Sequence, residues 1–446
     1  MRTTRRYVSA VALMAVGAMA LTACGSTPDP GSDDGSPDPA AGPVTIDVWG
    51  WNAETGKQVA EAFNAAQDDI TVNYVLAASN TATQTNFQNL MASGDEAVPC
   101  LVQGFAGLTS MVANGWAADV TEYIDKHPDT WSDGAKAAAE VNGAYYGVPS
   151  GVDAQFALVN QPALNKIGAE APATWEDVLA LAPKLKKEGI DTLNLPGEDP
   201  SGFINLAQQA GAEWFAIDGD QWKIDLLDES TLQAADFYQQ LIDGDYVSNE
   251  TYQDRPALYN YFDSGKLAIV PLAWWSMAGY ETNFSESLGD WHAIMNPSFA
   301  ANPDAGVPGR NNPSFVPAGC EHPEAAVEFS AWMATPEGIE AGRDSETGAV
   351  GFPAQIPDAS DYVDEIVPKD LTDQSPDEVG KIVVDSQAAA IGKFEMGPNA
   401  DAWFPELQDQ WGKAVAGKQT LEQALTNVQD FITKDLDSKG IAYTIG

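Results

Sequence analysis

Positive charge is scarce in this chain. Of its 446 residues, 22 are Lys or Arg and 65 are Asp or Glu, so the formal net charge is −43. A charge of that sign and size repels phosphates, which argues against nucleic acid as a partner. Histidine is scarcer still: His127, His292 and His322 are far apart and lack the spacing of metal ligands. The sequence therefore predicts no metal site.

The familiar catalytic signatures are also missing. The chain contains no Gly-x-Gly, no Gly-Lys-Ser/Thr, no Gly-x-Ser-x-Gly and no Asp-x-Asp-x-Asp-Gly. These absences remove the dinucleotide fingerprint, the P-loop, the nucleophile elbow and the calcium loop. We therefore expect no cofactor and no enzymatic activity.

The N-terminus has the pattern of an export signal. Three arginines, Arg2, Arg5 and Arg6, precede an apolar run at 7–23, the longest such run in the chain. The run ends in Leu21-Thr22-Ala23-Cys24, which resembles the lipobox of bacterial lipoproteins. The resemblance implies a signal peptide at 1–23 and lipidation of Cys24, with palmitate among the attached acyl chains. Ordinary signal cleavage with an incidental Cys24 is the alternative.

Residues 24–43 then contain almost only small residues, Pro and Asp, which is typical of a flexible linker. The mature protein is thus expected at the extracytoplasmic face of the cell membrane, in contact with the membrane through its lipid anchor only.

Beyond residue 43 the sequence predicts alternating strands and helices. Strands at 44–49, 70–76 and 98–103 are separated by helical patterns, the first at 55–66, and this alternation favours parallel α/β units. Thr174 predicts an N-capped helix with acids in its first turn, Thr420 predicts a helix start with a capping box, and Asp218-Gly219 predicts a hairpin. With 44% hydrophobic residues, the chain has ample material for packed cores.

The order of these features resembles the extracellular sugar-binding proteins of bacterial ABC importers, the maltose-binding-protein family of solute-binding proteins. The residues that carry the resemblance follow the lipobox in this order: 44–52 with Trp49 and Trp51, 99–104, 115–120, 143–160 (GAYYGVPSGVDAQFALVN), 174–177, 262–275 (FDSGKLAIVPLAWW), 322–340, and Trp403-Phe404.

The resemblance implies an α/β, two-lobed, periplasmic-binding-protein-like fold. Each lobe would be a mostly parallel sheet flanked by helices, with the ligand cleft between them. Residues 44–152 plus 313–352 would form lobe 1, and 153–312 plus 353–446 would form lobe 2. The implied function is capture of a sugar, an oligosaccharide, by a monomer that delivers it to the permease subunits of an ABC transporter. A surface-anchored glycoside hydrolase, or the same fold with a non-sugar ligand, is the alternative.

Candidate ligand contacts lie where strands end, because ligands of open α/β sheets bind beyond the carboxyl ends of strands. Aromatic rings can stack on a sugar, and carboxylates, amides and arginine can bridge its hydroxyl groups. The alternative for each aromatic candidate is a place in the core, and for each charged candidate a solvated position on the surface. The candidates from position are Trp51, Asn52, Glu54, Asn80, Gln103, Trp274 and Trp275. Arg310 is a further candidate because cations are scarce in this chain and it lies in a return loop among Asn residues; pairing with one of the 65 acids is the alternative. The resemblance adds two residues that match sugar-binding positions of the family, Asp153 and Trp403.

Two cysteines remain after Cys24. Cys100 and Cys320 are an even pair in an exported chain, which favours a disulfide within lobe 1. Two buried free thiols are the alternative.

Overall fold

A computed structural model describes residues 43–53, 55–78, 80–94, 98–104, 107–150, 155–218, 221–307, 313–343, 367–390 and 396–446. All of them belong to the compact unit Gly42–Gly446. The described helices are α1 Thr55–Ala66, α2 Asn80–Ser93, α3 Leu108–Ala113, α4 Thr121–Ile124, α5 Asp133–Ala139, α6 Gln161–Ile167, α7 Trp175–Lys187, α8 Ser201–Ala210, α9 Glu229–Asp243, α10 Arg255–Asp263, α11 Ser276–Asn283, α12 Pro323–Met333, α13 Pro336–Ala341, α14 Pro376–Ala389, α15 Ala400–Val415 and α16 Leu421–Lys439.

The described strands are β1 Val44–Gly50, β2 Ile70–Leu76, β3 Leu101–Val102, β4 Glu140–Val141, β5 Ala144–Tyr145, β6 Gly147–Val148, β7 Gln155–Asn160, β8 Leu193–Asn194, β9 Phe215–Asp218, β10 Gln221–Ile224, β11 Val247–Ser248, β12 Ile269–Ala273, β13 Trp291–Ile294, β14 Ser314–Phe315 and β15 Tyr443–Ile445.

The N-terminal lobe is built on a five-stranded sheet with the order β2-β1-β3-β14-β6. β1 runs parallel to β2 and β3, whereas β14 is antiparallel to β3 and β6. Late in the chain, β14, α12 and α13 return to this lobe, where Phe329 of α12 packs edge-on against Phe63 of α1 at 5.1 Å between ring centroids. The lobe is therefore made from two separate stretches of the sequence.

Side chains alternate between the two faces of this sheet, as strand geometry requires. Ile46 and Val48 of β1 and Leu101 of β3 are buried in one core cluster, while Val102 is buried in another, together with Phe87 and other residues. Both faces of the sheet are thus covered, as is typical of parallel sheets.

The C-terminal lobe is centred on β7, which pairs antiparallel with β12 on one side and β13 on the other. A parallel bridge between Asp191 and Leu267, together with parallel pairing of β8 and β11, extends the arrangement. Phe156 and Leu158 are buried in one cluster and Ala157 and Val159 in the other. The two-lobed α/β fold class is confirmed, but this lobe has a mixed sheet rather than the mostly parallel sheet we expected.

Local signals at helix ends and turns were informative. Thr174 caps the start of α7 as predicted, and the Asp177 side chain bonds back to it to complete a capping box that the sequence had not suggested. Thr420 caps α16 by accepting from the Gln423 N–H, but the Gln423 side chain donates to Asn427 instead of completing a box. The predicted hairpin is formed by β9 and β10, which pair antiparallel. Among the described residues, no helix has the length and apolar character needed to cross a membrane.

Candidate functional site

A pocket of about 250 Å³ opens in the C-terminal lobe. Gln155 and Val307 both line it, and each lies at the end of a described stretch of the chain. Its walls combine aromatic rings with amides and few charges. The lining side chains used below are Gln155, Asn194, Asp199, Asn205, Tyr252, Arg255 and Trp275.

Trp275 gives this pocket an exposed aromatic surface. The residue follows β12, and 49% of its surface is exposed, a large fraction for a tryptophan. Trp274, its neighbour, is partly buried and packs against the core. Of the two adjacent tryptophans predicted as ligand contacts, Trp275 is therefore the one that lines the pocket.

A pair of amides forms part of the wall. Asn205 on α8 donates from Nδ2 to Oε1 of Gln155, the first residue of β7, over 2.9 Å. Because this bond uses the Gln155 oxygen, its Nε2 group is the part of the amide suited to donate to a ligand. Neither residue is among the sequence-based candidates, although Gln155 begins an apolar strand two residues after the candidate Asp153.

The N-terminal lobe contributes a second polar cluster, at the carboxyl end of β1. The Tyr74 hydroxyl accepts a hydrogen bond from the Asn52 N–H at 3.1 Å, and the Gln103 N–H bonds the Trp49 carbonyl at 2.9 Å. A Cβ on Gly50 would lie 2.3 Å from both the Gln103 Oε1 and the Tyr74 hydroxyl, so these groups converge on the glycine.

Trp51 is partly exposed and Asn52 is exposed beside this cluster. Burial raises the pKa of the Tyr74 phenol. The ring therefore stays neutral at physiological pH and offers a hydroxyl for hydrogen bonding. The sequence placed Trp51, Asn52 and Gln103 at one edge, and the structure brings them there; Tyr74 was missed.

Several expected contacts cannot be located. Glu54, Asp153 and Arg310 lie outside the described residues, as does Cys24 with the signal peptide and linker. Asn80 begins α2, but its side chain is also outside the described part of the chain.

Trp403 lies in the core. It is 1% exposed, and its ring packs against Trp214, Phe215 and Phe404 at centroid distances of 6.4, 5.3 and 6.0 Å. A ring surrounded in this way has no face to offer a ligand, so a core role replaces the ligand contact that we expected for Trp403.

Cys100 and Cys320 are joined in the structure. Their Cα atoms are 4.9 Å apart, and the sulfur atoms form a disulfide of 2.07 Å. The bond connects the start of β3 to the segment between β14 and α12, both in the N-terminal lobe. It lies at the end of β3 opposite Gln103, so it is a structural link rather than part of the site.

Within the described ranges, no group of three or more His, Cys, Asp or Glu side chains is arranged to hold a metal ion. The pocket offers aromatic stacking and hydrogen bonds from amides, hydroxyls and one guanidinium. Groups of this kind bind ligands that have both apolar ring faces and many hydroxyls.

Comparison with known proteins agrees with this architecture. The family model of bacterial extracellular solute-binding proteins matches residues 49–340, more than half of the chain. The chain belongs to this family, which places it outside the cytoplasm.

One curated relative is the arabinooligosaccharide-binding protein of Halalkalibacterium halodurans, 22% identical over 199 residues. The match covers 43% of this chain and 44% of that protein, so the chain spans less than half of the relative's length.

Two solved structures share the fold over most of the chain. The galacto-N-biose-/lacto-N-biose I-binding protein of the ABC transporter from Bifidobacterium longum, in complex with lacto-N-biose, has a TM-score of 0.75 at 20% identity and covers 91% of this chain and 100% of its own. The ABC transporter associated binding protein from B. animalis subsp. lactis, in complex with beta-1,6-galactobiose, has a TM-score of 0.72 at 20% identity, with 90% and 100% covered. At these identities the likeness shows the fold.

Proposed function

We propose that this solute-binding protein captures an oligosaccharide outside the cell and delivers it to the permease subunits of an ABC importer, without chemistry of its own. The observation that carries the proposal is the pocket in the C-terminal lobe, where the exposed ring of Trp275 lies with the paired amides of Gln155 and Asn205. The ring can stack on the C–H face of a pyranose while the amides bridge neighbouring hydroxyls.

The relatives support a sugar as the ligand. One is named for arabino-oligosaccharides, and the two solved structures with this fold hold disaccharides. The pocket lining points the same way, because amides and rings outnumber charged groups in it. A pocket that binds a polyamine would need several carboxylates in its lining, and one that binds a phosphate ester would need several cationic side chains.

The rest of the proposed site comes from the N-terminal lobe and the segments that cross between the lobes. Trp51, Asn52 and Gln103 lie at the edge of the N-terminal sheet and would complete the cleft from the other side. Glu54, Asn80, Asp153 and Arg310 stay candidates on the strength of their positions in the sequence.

We also propose that Cys24 is lipidated and holds a monomer at the extracytoplasmic face of the membrane. The lipobox at 21–24 and the linker that follows it support this part of the proposal.

Ligand binding is tested by a thermal-shift screen with mono- and oligosaccharides. A ligand at a hundredfold excess over its Kd should stabilise the protein by about 2.7 kcal/mol, since it binds the native state only. Titration calorimetry on the best ligand then tests the site. Trp275→Ala should weaken binding by about 2 kcal/mol, roughly thirtyfold, because it removes the stacking face.

Trp222→Ala is the matched control, since Trp222 is a partly exposed tryptophan of the same lobe outside the pocket lining. It should keep wild-type affinity. Equal affinity in both variants would move the site elsewhere, and failure of every saccharide to bind would contradict the proposed ligand class.

If the protein were a glycoside hydrolase, incubation with an oligosaccharide would release new reducing ends. Glycoside hydrolysis needs two carboxylates. Among the described lining residues the pocket holds one, Asp199, whose Oδ1 already accepts the Ser201 N–H at 2.9 Å. Reducing ends that accumulate with the wild type would overturn the binding-only proposal.

A further inference from the structure

One side of the pocket is formed by a short segment that precedes α10. The guanidinium carbon of Arg255 lies 5.4 Å from the centroid of the Tyr252 ring, an arrangement in which the cation stacks on the aromatic face. Both side chains line the same pocket as Trp275. We call Tyr252 and Arg255 the arginine platform.

Hydrogen bonds from a neighbouring loop hold this platform in place. Oε1 of Glu198 accepts from the Tyr252 N–H at 2.7 Å and from the Thr251 hydroxyl at 2.6 Å. Asn194 bonds the backbone of Glu250 in both directions, accepting its N–H at 2.8 Å and donating to its carbonyl at 3.0 Å. Because the backbone is fixed before a ligand arrives, little ordering cost remains at the moment of binding.

The charge of Arg255 has no partner within the described part of the chain: no carboxylate there lies within ion-pair distance of its guanidinium. The other described arginine, Arg343, bonds both oxygens of Glu340, with Nε at 3.0 Å and Nη2 at 2.6 Å. In a chain with 65 acids and 22 bases, carboxylates are plentiful. A guanidinium that has no carboxylate partner there and lines a ligand pocket is suited to an acidic ligand.

We propose that the sugar carries a carboxylate, as a uronic acid unit, which Arg255 binds while a neighbouring ring stacks on Trp275. The inference rests on the proposed sugar-binding function. The planar guanidinium matches the two oxygens of a carboxylate, and stacking on Tyr252 leaves its N–H edges available for that bidentate contact. The described lining holds one arginine and one carboxylate, Asp199, whose Oδ1 already accepts the Ser201 N–H, so it suits a single carboxylate better than a phosphate dianion.

The test compares acidic saccharides with matched neutral ones by titration calorimetry on the full folded protein. The probes are galacturonosyl-rhamnose and a xylo-oligosaccharide with one glucuronic acid substituent, each with a single carboxylate, and the methyl esters of both. We expect an acid to bind at least about tenfold more tightly than its ester, because charge-assisted bonds are roughly twice as strong as neutral ones. Its affinity should fall as salt is added, and that of the ester should not.

Arg255→Gln should abolish the preference for the acid over its ester, because the affinity for the acid falls by about tenfold more than that for the ester. Arg255→Lys keeps the charge without the planar fork and should fall between the two. Arg343→Gln makes the same change in net charge in the N-terminal lobe and should bind the acid like the wild type. Melting of each variant without ligand checks that the fold is intact.

The possible results distinguish failure of the acidic-ligand proposal from failure of the proposed sugar-binding function. If neutral oligosaccharides bind as tightly as the acids, or if Arg255→Gln leaves the preference unchanged, the acidic ligand is wrong while sugar binding stands. If neither acidic nor neutral saccharides bind, the proposed function fails and the inference fails with it.

Discussion

Replacing Asp263 by asparagine should destabilise the C-terminal lobe. Asp263 ends α10 and is 8% exposed, and its carboxylate collects donors from the turn after α11. Oδ2 accepts the Ser285 N–H at 2.9 Å, while Oδ1 accepts the Glu286 N–H at 3.0 Å and both the N–H and the hydroxyl of Ser287 at 2.8 Å. The carboxylate thereby ties the end of α10 to the segment that follows α11.

The magnitude follows from what asparagine can replace. Its single oxygen can keep the Oδ1 bonds, but its NH₂ group would then face the Ser285 N–H, leaving a donor without an acceptor. Losing a bond to a charged group costs about 1.5–3 kcal/mol, and an unsatisfied buried donor costs a similar amount, so we expect a loss of about 3 kcal/mol. For a lobe of this size that corresponds to a fall in Tm of roughly 6–12 °C.

The assay is thermal unfolding of Asp263→Asn beside Asp304→Asn, which makes the same charge change at an exposed position. Burial acts to raise the pKa of Asp263, but the hydrogen bonds from Ser285, Ser287 and Glu286 outweigh it, so the pKa is lowered from its ordinary value. The contribution of a carboxylate with a depressed pKa is present above the unfolded value, about 3.9, and is lost as the pH falls through the folded pKa.

The stability gap between wild type and Asp263→Asn should therefore be constant from about pH 5 upward and shrink below about pH 4. Equal melting temperatures for the two variants at pH 7, or a gap that persists in full at the acid end, would refute this account of Asp263.

Three further predictions concern other parts of the molecule. Reduction of the Cys100–Cys320 disulfide, which closes a loop of 220 residues, should lower the free energy of unfolding by up to about 5 kcal/mol in the chain-entropy model, measured by melting with and without a reductant. Trp403→Ala should cost about 3–5 kcal/mol in stability yet leave the ligand affinity of the folded protein unchanged, as apo melting and calorimetry together would show. Gly50→Ala should weaken ligand binding, because its Cβ would lie 2.3 Å from two side chains of the N-terminal cluster; Gly134→Ala, with nothing within 4 Å, should leave affinity unchanged.

Elements with strong local signals could be predicted from the sequence. The first strands and helices have clear periodicity, and the Thr174 N-cap joins residues only three positions apart. The mixed sheet of the C-terminal lobe could not be foreseen, because β7 takes its partners from strands more than 100 residues further along the chain. Pairing over such distances is set by packing of the whole lobe and has no local signature.

The same division applies to the candidate site. Trp275 could be identified because it directly follows an apolar strand, and Gln103 because it follows β3. Asn205 and Arg255 were missed, since each lies on a helix and reaches the pocket only through the packing of separate segments. The scarcity of arginine, which drew attention to Arg310, was an equally good signal for Arg255. The predicted ligand contact of Trp403 was wrong because an aromatic pair at a helix start does not reveal which side of the helix faces the core.

The late return of β14 to the N-terminal sheet has a consequence for the order of folding. β14 lies between β3 and β6, so both strands have an open edge until residues 314–315 are available. Pairing across so many residues has a high contact order, which slows folding. A chain emerging from its N-terminus must therefore keep two unpaired strand edges from mispairing while the intervening residues, up to 313, are synthesised. Before β14 is available, the unpaired strand edges make the chain most prone to aggregation, and a chaperone would have its largest effect then.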